Sequence, residues 1–231
     1  VYNELDPDLK KLVNSNKSNL NYIPYSIPKH KIIDGVSFIG FNNELYKLKI
    51  FGDHNLQNIS GALNICNKLG VRSEDFFNAI TSFNGASNRL ELVYKSSDSI
   101  IFKDFAHSPS KVKATTEAVR KQYPNKKLIA FFELHTYSSL NPVFLEKYKD
   151  TLKYSDECYI YYSEKNMRIK RLDPIDSELI LNSFNHNNLV VIDSYEKLNK
   201  KIYNLDLSNS VLLMMSSGKF GGIDFNKIKK T

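Results

Sequence analysis

Apolar positions along this chain follow two rhythms, and the change between them falls near residue 87. Early on, Leu9, Leu12 and Val13 mark one or two amphipathic turns after Asp6-Pro7, with the proline near a helix start. Residues 14–21 are polar and loop-like, and Pro24 and Pro28 keep the next stretch extended. Two alternating runs, Val36-Ser37-Phe38-Ile39-Gly40-Phe41 and Glu44-Leu45-Tyr46-Lys47-Leu48-Lys49-Ile50, flank Asn42-Asn43 and predict a β-hairpin. Ile59, Ala62, Leu63, Cys66 and Leu69 then repeat at helical spacing until Gly70 ends the helix at its C′ position. Ser73 is expected to cap a second helix over residues 74–82, which carries Phe76, Phe77 and Ile80. A lone hairpin is too little sheet to cover two helices well, so this segment reads as the tail of a domain whose front half lies elsewhere.

From Leu90 onward, strand and helix alternate. Ile100-Ile101-Phe102 predicts a strand ending at Asp104, and a helix starts at Pro109 with Val112, Thr116 and Val119 on one face. Leu128-Ile129-Ala130-Phe131-Phe132 is a continuous apolar run, the kind buried on both faces. Further strands are predicted over 159–162, 189–192 and 211–215, separated by helical patterns over 144–152, 177–184 and 195–203. Such alternation predicts an α/β fold, a mostly parallel sheet with helices on both faces. The expected domains are 1–86 and 87–231.

Composition narrows the class. With 42% hydrophobic and 12% aromatic residues among 231, the chain can bury a core and carries no disorder signature. A net charge of +7 and a pI near 9.1 raise the question of nucleic acid. The lysines are scattered singly, as at Lys47, Lys68, Lys127 and Lys170, or sit in doublets such as Lys10-Lys11 and Lys229-Lys230. That is a solvated basic surface rather than a clustered footprint, so no nucleic-acid partner is expected. Cys66 and Cys158 lack metal or redox spacing and read as small core residues. No apolar stretch approaches the roughly 20 residues of a membrane span, and the N-terminus does not read as a signal peptide. A cytoplasmic protein without a membrane partner is expected.

The candidate chemistry lies where strands stop and helices begin, the edge at which open α/β sheets hold nucleotides and other anions. Gly52-Asp53-His54-Asn55-Leu56-Gln57-Asn58 opens a helix that Asp53 can cap. Asn55 and Asn58, three apart, either read the donor–acceptor edge of an adenine or serve plain capping. Asp104 and His107 either hold ribose and phosphate or are a helix cap and a surface histidine. Arg89 either grips an anion in bidentate fashion or pairs with Glu91 or Asp104. Glu133-Leu134-His135-Thr136-Tyr137-Ser138-Ser139 crowds polar groups behind the most apolar strand, as a binding edge or as caps for a helix after Pro142. Met214-Met215-Ser216-Ser217-Gly218-Lys219-Phe220-Gly221-Gly222 reads as strand, glycine-rich turn and then a helix with Ile223 and Ile228. Its backbone N–H groups can converge on an anion beside Lys219, or the turn is purely structural; it lacks GxxxxGK[ST] spacing. The acids are not spaced with the histidines as metal ligands, so no protein-only metal site is expected.

Taken together, Gly-x-His-Asn-x-x-Asn before a helix, Phe83-Asn84-Gly85 leading to Arg89-Leu90-Glu91, and Asp104-Phe105-Ala106-His107-Ser108-Pro109 resemble the Mur ligases. Phe132-Glu133-Leu134-His135-Thr136-Tyr137-Ser138 resembles the branch that acts on UDP-N-acetylmuramate. The Asp-Phe-Ala-His segment and residues 215–223 look closest to the murein peptide ligases of that branch. Asn88, Leu134 and Ser139 depart from the pattern, standing where it has an arginine, a proline and an arginine.

The resemblance implies an ATP-dependent ligase that joins L-Ala-γ-D-Glu-meso-diaminopimelate, or an amino acid such as L-alanine, to UDP-N-acetylmuramate through an acyl phosphate. It implies that 1–86 is the back portion of an ATP-binding central domain and 87–231 a Rossmann-like C-terminal domain. The UDP-sugar domain, the phosphate loop, the catalytic groups and the Mg2+ ligands would then lie outside this chain. By the family pattern His54, Asn55, Asn58, Arg89, Asp104 and His107 would bind ATP. Ser108, His135, Thr136, Tyr137, Gly218, Lys219, Gly221 and Gly222 would face the acceptor.

Overall fold

A computed structural model describes residues 1–16 and 20–228, with Asn226 as backbone alone. Part of the expected 14–21 loop, and the Lys229-Lys230 doublet, lie outside the described residues. The chain divides into two compact units, Val1–Gly85 and Ala86–Thr231.

In the first unit β1 (Tyr2–Asn3) pairs in parallel with β2 (Pro24–Tyr25). Between them runs α1 (Pro7–Ser15), where Asp6 caps the N–H groups of Asp8 and Leu9 and Pro7 occupies the first turn. The predicted hairpin is present as β4 (Val36–Phe41) and β5 (Glu44–Lys47). Asn42 and Asn43 both take left-handed conformations, φ 48° and 66°, as a two-residue primed turn requires. A third strand, β3 (His30–Ile33), pairs antiparallel with β4, so the sheet has three strands where the pattern suggested two. Pro28 and the polar pair His30-Lys31 masked it, because an edge strand need not alternate cleanly.

Helices α2 (Asp53–Lys68) and α3 (Ser73–Ile80) complete this unit, with Ile39, Leu48, Leu56, Ile59 and Phe77 in its core. Gly70 lies at C′ as expected: its N–H bonds the Asn67 carbonyl while the Val71 N–H reaches Cys66, both at about 3 Å. Two capping expectations are corrected. Gly52, at φ 91° and ψ 144°, holds the cap position of α2, so Asp53 is already helical. Arg72 is the cap residue of α3; Ser73 is its first helical residue, and its hydroxyl donates to Asn67 instead.

The second unit is a six-stranded sheet in the order β10-β9-β8-β11-β7-β6. Its strands are β6 (Glu91–Lys95), β7 (Ser99–Asp104), β8 (Lys127–Glu133), β9 (Glu157–Tyr161), β10 (Leu189–Ile192) and β11 (Ser210–Met215). Only the edge strand β6 is antiparallel to its neighbour. The mostly parallel α/β fold read from the sequence is thus present. Alternation along β8 shows how the two faces are covered. Phe132 meets the rings of Tyr148 and Phe184 on one face. Phe131 lies on the other, in a cluster with Leu198, Ile202, Met214 and Ile228.

Accordingly α4 (Pro109–Gln122), α5 (Pro142–Leu145) and α7 (Ser177–Phe184) pack on the first face, and α8 (Tyr195–Tyr203) and α9 (Phe225–Ile228) on the second. The Val112, Thr116, Val119 face of α4 is fully buried, as its spacing predicts. Three helical expectations change. The pattern over 144–152 forms only the short α5 and a 3-10 turn, because Lys149 leaves the helical region at ψ 129° and Asp150 then turns left-handed at φ 58°. An unexpected helix, α6 (Glu164–Ile169), is capped by Ser163 and buries only Met167, too little to leave a periodic signal. After the glycine-rich turn the chain makes a 3-10 turn, and Ile223 is extended before α9 begins. Among the described residues no helix is long and apolar enough to cross a membrane.

Candidate functional site

Strands β8 and β11 are neighbours, yet the chain leaves β8 toward α5 on one face and β11 toward α9 on the other. Such a switch point opens a crevice at the carboxyl ends of the strands, the place where open α/β sheets bind ligands. Here it forms a cleft of about 770 Å³ into which the ends of β7, β8 and β11 bring Asp104, Glu133 and Ser216, with residues 217–222 along one wall. Of the sequence-predicted site residues, Asp104, His135, Gly218, Lys219, Gly221 and Gly222 all line it. Glu133 and Ser217, which stand in the two candidate segments without an assigned role, also line it, as do Lys103 and Asn166, which were not singled out from sequence.

Glu133 organises the glycine-rich wall. It ends the apolar run of β8 and is only 3% exposed. Its Oε2 accepts from the Ser216 hydroxyl and from the Phe220 N–H, the latter at 2.9 Å. The Ser216 Oγ in turn accepts the Gly218 N–H at 2.6 Å. A Cβ at Gly218 would stand 2.8 Å from Glu133 Oε2 and 2.9 Å from the His135 ring, so only glycine lets the turn approach this closely. The Ser217 Oγ is buried without a hydrogen-bond partner, an unsatisfied polar atom in the cleft wall.

At the other wall, carboxylates hold a strained backbone around Arg89. Asn88 and Leu90 on either side of it are left-handed, φ 56° and 45°, and a buried leucine in that region is uncommon. Asp104, 9% exposed, accepts the Leu90 and Ala106 N–H groups at 2.7 Å each and the Thr115 hydroxyl at 3.3 Å. Glu91 accepts the Asn88 N–H and pairs with Lys103 at 3.0 Å. The Asn88 N–H, and after it the Lys103 ammonium, hold the Glu91 carboxyl below its usual range against the opposing effect of burial. Both carboxylates with which Arg89 could have paired are thus engaged by other donors. Its guanidinium is exposed and has no ion-pair partner among the described residues.

The loop after β7 carries His107 and Ser108. The His107 Nδ1 lies 2.9 Å from the Phe105 carbonyl, which can only accept, so in the neutral ring Nδ1 bears the proton and Nε2 is left as an acceptor. Buried Tyr148 fixes the loop by donating to the His107 carbonyl at 2.6 Å, and burial pushes its phenol well above the ordinary value. Ser108 is the N-cap residue of α4 without a side-chain capping bond. After β8, Thr136 closes a turn with Ser138 and Ser139, while exposed Tyr137 lines a separate shallow recess with Phe144 and Lys147. Lys170 donates to the His135 carbonyl and lies over the Tyr137 ring. The departure at Leu134 has a structural counterpart: its N–H bonds the Tyr161 carbonyl at 2.8 Å, which a proline could not do. In the first unit, His54, Asn55 and Asn58 lie in the opening turns of α2. The Asn55 amide nitrogen donates to the Phe51 carbonyl at 2.8 Å, and Asn58 is exposed.

Residues 88–218, more than half of the chain and including most of the cleft, match the family described as Mur ligase, glutamate ligase domain. The chain belongs to the Mur ligase family. UDP-N-acetylmuramate–L-alanine ligase of Christiangramia forsetii is 29% identical over 186 residues, 80% of this chain and 39% of that protein. The enzyme of the same name from Prochlorococcus marinus subsp. pastoris is 29% identical over 220 residues, 88% of this chain and 45% of that protein. The Mur ligase chain described here therefore spans less than half the length of these relatives. Its fold is shared with the alanine ligase MurC of Thermotoga maritima, at a TM-score of 0.65 and 16% identity over 87% of this chain and 43% of that one. It is also shared with a murein peptide ligase from Psychrobacter arcticus, at 0.56 and 22% over the same shares. A third structure, the MurF ligase of Thermotoga maritima in complex with ADP, gives 0.64 and 17% over 98% of this chain and 51% of that one.

Proposed function

We propose that this chain is the later part of an ATP-dependent ligase of peptidoglycan synthesis or recycling, acting in the cytoplasm on UDP-N-acetylmuramate. In this reading the UDP-N-acetylmuramate carboxylate is activated as an acyl phosphate. The acceptor amine attacks that carbonyl, and phosphate leaves from the tetrahedral intermediate as the amide forms. Catalysis then consists of positioning and charge stabilisation. The observation that carries the reading is the switch-point cleft within the family-matched segment, because open α/β sheets bind substrates there.

Within the second unit the exposed, unpaired Arg89 guanidinium is assigned to a phosphate oxygen of the nucleotide, and the cleft to the acceptor. Within the first unit Asn58 and the free carbonyl end of Asn55 are assigned to the adenine. Among the described residues no group of three or more His, Cys, Asp or Glu side chains could hold a metal, so none is assigned to Mg2+.

Two acceptors fit this reading. The cleft volume, about 770 Å³, falls within the roughly 300–1,000 Å³ of small-molecule sites and leaves room for the peptide L-Ala-γ-D-Glu-meso-diaminopimelate. The sequence relatives, both UDP-N-acetylmuramate–L-alanine ligases, favour free L-alanine. Full-length protein supplied with ATP, UDP-N-acetylmuramate and each acceptor in turn tests the proposal by ADP release and product mass. Ligation of one acceptor is the expected result, and no ligation of either overturns it. The 231-residue chain by itself is expected to be inactive.

A further inference from the structure

We propose that Glu133 is a specificity-determining residue, which selects an acceptor by its free ammonium group; this rests on the ligase reading above. Glu133 is buried to 3% exposure, yet both donors on its Oε2, the Ser216 hydroxyl and the Phe220 N–H, are neutral. Its other oxygen, Oε1, has the His135 Nδ1 at 3.7 Å, beyond a hydrogen bond and an ion pair only when the imidazole is protonated. No lysine or arginine pairs with it among the described residues, although Lys103 and Lys219 line the same cleft. A buried carboxylate served only by neutral donors is costly, and a cation reaching the spare oxygen relieves that cost. A side chain at Gly218 would lie against Glu133 Oε2 and the His135 ring, so glycine lets the wall close on the carboxylate.

The cleft therefore separates its charges. Glu133 presents one buried negative oxygen at the end of β8, and Lys219 presents positive charge along the wall, while Lys103 is already paired with Glu91. Its complement is a zwitterion, with the ammonium on Glu133 Oε1 and a carboxylate toward Lys219. An acceptor whose amine is replaced by hydroxyl leaves Glu133 uncompensated and is rejected for that reason as well as for lacking the nucleophile.

The test uses full-length protein, with L-alanine and the tripeptide as acceptors and, as competitive inhibitors, the analogues carrying a hydroxyl in place of the α-amine. Glu133→Gln keeps an oxygen that can accept from Ser216 and Phe220 while removing the charge. The expected result is an acceptor KM raised about tenfold or more, as for loss of a hydrogen bond to a charged group, with the KM for ATP and the melting temperature unchanged. The hydroxy analogue should bind wild type about tenfold more weakly than the amine does, and should bind the variant more tightly than it binds wild type, because no charge is then left uncompensated. If wild type ligates and the variant keeps its acceptor KM, or loses stability and shifts both KM values together, the Glu133 inference is overturned while the ligase reading stands. Equal binding of amine and hydroxy analogue by wild type overturns it without the variant. If wild type ligates neither acceptor, the ligase reading fails and the inference falls with it.

Discussion

Replacing Asp104 by alanine tests whether one carboxylate holds the backbone that presents Arg89. The substitution removes the acceptor for two backbone N–H groups, Leu90 and Ala106, each at 2.7 Å and both on buried residues. Hydrogen bonds to charged groups contribute about 1.5–3 kcal/mol each. Relief from burying a charge offsets part of that, which leaves a net loss of about 3 kcal/mol. For a unit of this size that is a fall in melting temperature of about 10 °C. Leu90 also sits at φ 45°, a conformation costing about 1–3 kcal/mol, so without its acceptor the segment should relax and carry Arg89 out of place. With no tryptophan in the chain, calorimetry or circular dichroism is the appropriate probe of unfolding, and amide exchange reports the Leu90 and Ala106 N–H groups individually. Asp104→Asn should fall between wild type and alanine, because its amide offers one acceptor oxygen but turns a donor toward the other N–H. A melting temperature lowered by less than about 2 °C, with Leu90 exchange unchanged, would refute the brace.

Gly218→Ala places a methyl group 2.8 Å from a tethered carboxylate oxygen and should cost about 1–3 kcal/mol by overpacking, read as a lower melting temperature of the 231-residue chain. In full-length protein the same change should raise the acceptor KM. Burial pushes the Cys158 thiol from 9.0 up to about 12, so a thiol reagent near neutral pH should modify half-buried Cys66 and spare Cys158 until the chain unfolds. The sign of the linkage follows: the folded-state value is raised, so this contribution is complete below about pH 9 and is lost as pH rises toward 12. Cys158→Ala should therefore flatten the alkaline fall in stability. An unchanged alkaline limb in denaturant titrations would contradict the assignment.

Local chemistry decided much of what was legible in the chain. Pro7, the Asn42-Asn43 turn and the Gly70 terminus needed only their own backbone preferences and appear where expected. The buried run of β8 and the Val112, Thr116, Val119 face of α4 needed only periodicity. Where local signals were weak the reading failed. The edge strand β3 does not alternate cleanly, α6 buries a single methionine, and the 144–152 pattern is broken at Lys149 and the left-handed Asp150. Capping by Ser73 failed by one position, since whether a residue is the cap or the first helical residue depends on its backbone angles rather than its type.

The site divides along the same line. Residue types and their order along the chain determined that polar groups would stand at strand ends, because a strand buried on both faces cannot carry them in its middle. What those groups do was decided by pairings across long stretches of chain. Ser216 reaches Glu133 across 83 residues and Leu90 reaches Asp104 across 14, and no periodicity records either contact. Arg89 shows the consequence most directly. Its sequence allowed pairing with Glu91 or Asp104, and only the folded sheet, by engaging both acids elsewhere, leaves its charge without an ion-pair partner among the described residues.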